Sequence, residues 1–160
     1  MIEVSENLFV GNERDCFYDN RDDWVVVHAC KHPCHQTAIG YSGNLNSHHP
    51  NYLIFSRDNH LYLNLVDMDK PFGHVYTEPI ISAALNFIAS NIESKKVLIH
   101  CNRGESRSPA LALLFLAKRR SSISNESYET AKREFSEVYP NCRFGSGIDS
   151  YLARHWSDLT

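Results

Sequence analysis

Short apolar runs bounded by polar and turn residues alternate along this chain with longer stretches of helical spacing. Val97-Leu98-Ile99-His100 is a run of buried-strand type, and residues 23–29, which contain Trp24-Val25-Val26-Val27, are another. Residues 3–11 predict one or two short strands, and residues 61–66 a further one. Ile81, Ala84, Leu85 and Ile88 recur at helical spacing and predict a helix over about 78–93. Helices are also predicted over 109–119, from 124 to about 138, and over 147–156. Residues 30–60 hold three glycine- or proline-bearing turns and little periodicity, so they are expected to form a long loop with one helical turn. Strands alternating with helices predict one α/β domain over 1–160, with a central, mainly parallel sheet flanked by helices.

The candidate chemistry lies between the strand at 97–100 and the helix at 109–119. His100-Cys101-Asn102-Arg103-Gly104-Glu105-Ser106-Arg107-Ser108-Pro109 reads as strand end, tight loop and helix start. Pro109 falls in the first helical turn, where its missing N–H costs nothing. Such a loop points consecutive backbone N–H groups at one spot beside a positive helix end, which makes an anion site. With a phosphoryl group in it, Cys101 would sit beneath the phosphorus as nucleophile. An ordinary thiol is only a few per cent thiolate at neutral pH, but the N–H groups and the Arg107 guanidinium all favour the sulfur anion. The backbone of Asn102, Arg103, Gly104, Glu105 and Ser106 would bind the phosphoryl oxygens. Arg107 adds two parallel hydrogen bonds that a lysine cannot match. Ser108 is placed to hydrogen-bond the sulfur as it departs, and His100 to support the loop. Singly, each residue has an ordinary explanation: a small buried cysteine, a solvated arginine, a serine N-cap. The joint spacing does not.

Displacing an alkoxide or phenoxide from phosphorus also needs a proton donor on the leaving-group side. The strand at 61–66 ends in Asp67-Met68-Asp69-Lys70-Pro71-Phe72-Gly73, a turn-rich stretch, and both Asp67 and Asp69 are eligible. Two acids one residue apart suggest a division of labour, one donating and the other fixing the loop.

Composition narrows the setting. A net charge of −3 gives no pull toward nucleic acid or acidic membranes. No apolar run is long enough to span a bilayer, and the first residues lack a basic segment followed by an apolar one, so neither a signal nor an anchor is expected. Five cysteines without regular spacing suit a reducing compartment, and a cytoplasmic location is expected. His28-Ala29-Cys30-Lys31-His32-Pro33-Cys34-His35 packs five potential ligands into eight residues. Their spacing matches no familiar zinc finger or ribbon, so no metal and no cofactor are expected. This segment is expected to stand beside the catalytic mouth and shape access to it.

The string HCNRGESRS resembles the HCxxGxxRS signature of the cysteine-dependent protein tyrosine phosphatases, in their compact dual-specificity form. Asn7 to Gly11 resembles that domain's opening strand, and Tyr139-Pro140-Asn141 to Leu152 its closing helical region. The resemblance implies a three-layer phosphatase domain and a phosphocysteine intermediate. It also implies a general-acid aspartate on a loop about thirty residues before the cysteine. Asp69 stands 32 positions before Cys101 and Asp67 stands 34, and the family pattern fits Asp69 slightly better. The implied activity is removal of phosphate from phosphotyrosine in proteins, with phosphoserine and phosphothreonine as further substrates. The implied partners are a phosphorylated protein and a phosphate or sulfate ion in the cradle, with no nucleic acid and no membrane, the chain acting as a monomer. Hydrolysis of a lipid, sugar or nucleotide monoester is the alternative within enzymes. A phosphate-binding module without turnover is the alternative outside them. Glu105 departs from the pattern: its side chain is expected at the rim, paired with Arg103, where it disfavours highly anionic substrates.

Overall fold

The computed structural model describes residues 1–70 and 72–160; Pro71, part of the turn-rich stretch, lies outside them. Six strands form one sheet: β1 (Ile2–Ser5), β2 (Leu8–Gly11), β3 (Trp24–His28), β4 (Ile54–Arg57), β5 (His60–Leu63) and β6 (Lys96–His100). Their order is β1-β2-β6-β3-β5-β4. The four central strands pair in parallel, and the antiparallel β1 and β4 close the two edges.

Alternation along the strands assigns the two faces. Val25, Val27, Val97 and Ile99 enter the main core, while Val26 and Leu98 point the other way toward Phe17, Phe9 and Trp24. The main-core face is covered by α2 (His74–Asn91) and α3 (Arg107–Lys118), with α4 (Tyr128–Val138) against α3 and α5 (Ser146–His155) against α4. Every residue of α3 from Arg107 to Ala117 is buried, which explains why its sequence is apolar all round. Among the described residues the opposite face carries only a kinked helical turn (Lys31–His35), the short α1 (Gln36–Ile39) and the loop before β3. The sheet is therefore flanked by helices, but unequally.

Several element bounds differ from the sequence reading. Helix α2 begins at His74, not near 78, so Pro79 lies inside it rather than in the first turn. Helix α4 begins at Tyr128, where the Ser127 side chain caps the N–H of Thr130, rather than at 124. The expected loop at 30–60 contains an edge strand, β4, and the strand read to 66 stops at Leu63. Among the described residues no helix is long and apolar enough to cross a membrane.

Candidate active site

The central strand β6 delivers Cys101 to the C-terminal edge of the sheet, where parallel strands open a crevice. Chain direction reverses within 101–106 and enters α3 at Arg107. Gly104 makes the reversal with φ of +71°, and a β-carbon there would lie 2.9 Å from the Gly11 carbonyl oxygen. Both the left-handed backbone and the close approach exclude a side chain. Tyr139 holds the turn by donating its buried hydroxyl to the Gly104 carbonyl at 2.7 Å, and burial raises its phenol to about 12.

Cys101 is 2 % exposed, at the bottom of this loop. Its Sγ lies 3.2 Å from the Ser108 Oγ, and that hydroxyl donates to the Gly11 carbonyl, also at 3.2 Å. One hydroxyl proton serves one acceptor at a time, so the sulfur and Gly11 compete for it. Arg107 is buried and its guanidinium is fixed from two sides. Nη1 donates to the Leu65 carbonyl at 3.0 Å, and Nη2 donates to Asn102 Oδ1 at 2.7 Å. Its Nε is buried without a partner among the described residues. An orphaned guanidinium N–H in the wall of such a loop is a donor waiting for an acceptor.

Neighbouring segments brace the loop. Asn102 also donates from Nδ2 to the His32 carbonyl at 3.0 Å, and its own carbonyl accepts the Glu13 N–H at 3.1 Å. Arg143 N–H donates to the Glu105 carbonyl at 2.7 Å. Ser106 does not cap α3 with its side chain; it accepts the Gly145 N–H at 2.9 Å and donates to Asp67 Oδ1 at 3.5 Å. The first N–H groups of α3 are thereby left without a side-chain cap. At the rim, Arg103 pairs with Glu105 at 3.4 Å, as the residue types suggested.

Of the two candidate acids, Asp67 lines the mouth, a cleft of about 530 Å³ that also touches His32, Gln36, Asn102 and Arg107. Its carboxylate is engaged by Ser106 and abuts Gly145. Asp69 lies further along the same loop, exposed, and is tied to α5 through its backbone, its carbonyl accepting from Ser146 Oγ at 2.9 Å. An adjoining groove of about 270 Å³ is lined by Tyr52, Leu53, Met68, Phe72 and Tyr76 among others. Val66, Met68, Val75 and Tyr76 are exposed apolar side chains in or near it.

The histidine- and cysteine-rich segment is divided. His32 lines the mouth, whereas His28, Cys30, Cys34 and His35 are buried. His100 faces this second group, with Nε2 2.8 Å from His28 Nδ1. Burial lowers His28 to about 4. Hydrogen bonds from Cys16 and Cys30 pull the Cys34 thiol down, while those two thiols are pushed up by the same partnership. Cys16 joins this cluster from the loop after β2, a participant that spacing along the chain does not reveal.

A family model described as "Dual specificity phosphatase, catalytic domain" matches residues 25–151. A rat protein, dual specificity protein phosphatase 5, is 40% identical over 59 residues, a segment that covers 37% of this chain and spans only 15% of that protein. Among solved structures, human DUSP28 superposes with a TM-score of 0.64 at 17% identity, over 99% of this chain and 96% of that one. The human tyrosine phosphatase-like serine/threonine/tyrosine-interacting protein gives 0.66 at 16%, over 98% and 95%. The Yvh1 phosphatase domain of Chaetomium thermophilum gives 0.63 at 20%, over 98% and 94%. At such identities these neighbours bear on the fold.

Proposed function

The chain belongs to the dual specificity phosphatases; from there we propose that it is a protein phosphatase that acts first on phosphotyrosine, through a phosphocysteine formed on Cys101. The Cys101 thiolate attacks phosphorus in line with the ester oxygen, forming the S–P bond as the P–O bond breaks. Asp69 protonates the leaving oxygen. Water then attacks the phosphocysteine, Asp69 takes its proton, and the sulfur departs as thiolate with the Ser108 hydroxyl turned toward it. Arg107 and the N–H groups of Asn102 to Ser106 hold the equatorial oxygens throughout. Asp67, which accepts from Ser106 at 3.5 Å and lies against Gly145, is the anchor of the loop that carries Asp69. The single observation that supports this reading best is the buried Arg107, held on both Nη atoms and left with an Nε that has no partner among the described residues, at the end of the loop that starts with Cys101.

A protein substrate is favoured over a sugar or nucleotide by the apolar groove beside the mouth, which would take residues flanking the phosphorylated one. Glu105 at the rim disfavours polyanions. A binding module without turnover is disfavoured because Cys101, Arg107, Ser108 and both acids are all present. Five free thiols suit a cytoplasmic setting.

The test is phosphate release from tyrosine-, serine- and threonine-phosphorylated peptides and from sugar and nucleotide monoesters. Tyrosine phosphopeptides should show the highest kcat/KM, and Cys101→Ser should bind them without releasing phosphate. Release by Cys101→Ser, a need for added magnesium or manganese, or preference for the small monoesters would overturn the reading.

A further inference from the structure

On the helix-poor face of the sheet, directly behind the cradle, four potential ligand atoms converge: Cys16 Sγ, His28 Nδ1, Cys34 Sγ and His100 Nε2 all lie within 4.8 Å of one another. His28, Cys34 and His100 are buried and Cys16 is partly so. They come from four separate segments: the loop after β2, the end of β3, the kinked turn and the end of β6.

Hydrogen bonds around the rim of this cluster fix where the imidazole protons are. His60 Nε2 lies 3.1 Å from the Asp19 carbonyl, which can only accept, so that nitrogen carries the proton. His60 Nδ1 is then an acceptor, and His28 Nε2, 2.9 Å away, must donate to it. His28 Nδ1 is left with a bare lone pair. On the other side, His100 Nδ1 donates to the Cys101 carbonyl at 3.4 Å, which leaves His100 Nε2 bare as well. The two bare nitrogens face each other at 2.8 Å. Two lone pairs at that distance repel unless a positive centre joins them. A single proton would join the two rings, and the Cys16 and Cys34 thiols can each donate weakly to one of them, but neither arrangement engages all four atoms at one point as a metal ion does. The two sulfurs stand 3.6 Å from His28 Nδ1 and 3.9 Å from His100 Nε2 respectively. Ligand atoms around a tetrahedral zinc, at bonds of ~2.0–2.3 Å, stand roughly 3.3–3.8 Å apart, so the sulfur–nitrogen distances are close to that range and the 2.8 Å nitrogen pair has to open by ~0.5 Å on binding.

We infer that Cys16, His28, Cys34 and His100 form a closed site for a structural zinc ion. Two thiols release their protons on binding, so Zn²⁺ with two thiolates and two neutral imidazoles is uncharged overall, as a buried site requires. The outer partners are those a zinc site uses: each imidazole donates its second N–H, one to His60 and one to a backbone carbonyl, and the Tyr18 hydroxyl lies 3.2 Å from Cys34 Sγ. A cavity of about 120 Å³, lined by Glu13, Tyr18, Pro33 and Asn102 as well as ligand residues, provides an entry path. All four positions are filled by protein, so the ion takes no part in phosphoryl transfer. It ties the segment before Cys101 to the loops that brace Asn102. The inference goes beyond the phosphatase reading and stands whether or not Cys101 turns over phosphate.

The experiment loads the purified, reduced full chain with zinc alone, removes excess, and measures bound metal by elemental analysis. Cobalt(II) substitution is recorded in parallel by absorption. One zinc per chain is expected, with a tetrahedral cobalt spectrum showing thiolate-to-cobalt charge transfer. Cys16→Ser and Cys34→Ser should each weaken zinc binding by about 100-fold or more, while Cys30→Ser and Cys101→Ser keep it. Cys34→His, which retains a ligand, should keep the metal if Cys34→Ser fails to fold, and the wild-type cobalt spectrum needs no variant. Wild-type protein that stays substoichiometric in zinc, a cobalt spectrum lacking thiolate charge transfer, or loss of metal in Cys101→Ser would overturn the inference.

Discussion

Two cysteine sites flank the end of β6: Cys101 in the cradle, and Cys16 with Cys34 around His100, the residue one peptide bond before Cys101. In the cradle a single sulfur lies 3.2 Å from the Ser108 hydroxyl, at the head of a loop that leads into the uncapped start of α3 and the buried Arg107. Behind it, sulfurs and imidazole nitrogens meet with lone pairs turned toward one point. The same residue type is suited to an anion's chemistry in one place and to a cation's in the other. What decides is whether the neighbours present donors or acceptors.

The sharpest way to break this contrast is to weaken the donors of the cradle alone. Arg107→Lys keeps the charge but not the planar fork, and kcat/KM on phosphotyrosine peptides should fall by ~10²–10³-fold. Zinc content should stay that of wild type. A loss below tenfold would mean that a point charge suffices.

Next in size is the proton donor. Asp69→Asn should slow hydrolysis of alkyl phosphates by about 10²-fold and leave nitrophenyl phosphate, whose leaving group needs little help, far less affected. Asp67→Asn should lower both substrates together by a smaller factor, as expected for a loop anchor. The reverse pattern in a leaving-group series would exchange their roles.

Two smaller effects concern how the cradle is held. Gly104→Ala places a β-carbon 2.9 Å from the Gly11 oxygen in a left-handed conformation, and should destabilise the fold by about 1–3 kcal/mol in denaturant titration. Tyr139→Phe deletes only the hydrogen bond to the Gly104 carbonyl, about 1 kcal/mol. That corresponds to a lowering of the melting temperature by roughly 2–4 °C for a domain of this size. A fall in turnover much larger than the fall in stability would show that Tyr139 positions the loop rather than merely packing.

The cradle was legible in the sequence because it is contiguous: strand, loop and helix start follow one another from Lys96 to Arg107, each with its local signal. Residues brought together across the sheet were not. Cys16, His28, Cys34 and His100 meet only because β6 lies between β2 and β3. The spacing of 28–35 alone matches no finger. Strand β4 escaped because an edge strand with two exposed positions, Ser56 and Arg57, has no buried periodicity to detect. The start of α2 was misplaced because the three residues before Thr77 are partly or largely exposed and carry no apolar stripe. The pair Asp67 and Asp69 stayed ambiguous because they follow the end of β5, where no strand register says which side chain faces the mouth.

The most direct measurement is rapid acid quench of the protein turning over a phosphorus-labelled aryl phosphate, followed by peptide mapping. The account predicts label on the peptide containing Cys101, as a phosphocysteine that appears before free phosphate and is absent from Cys101→Ser. Turnover without label on Cys101, or label carried by His100 instead, would contradict it.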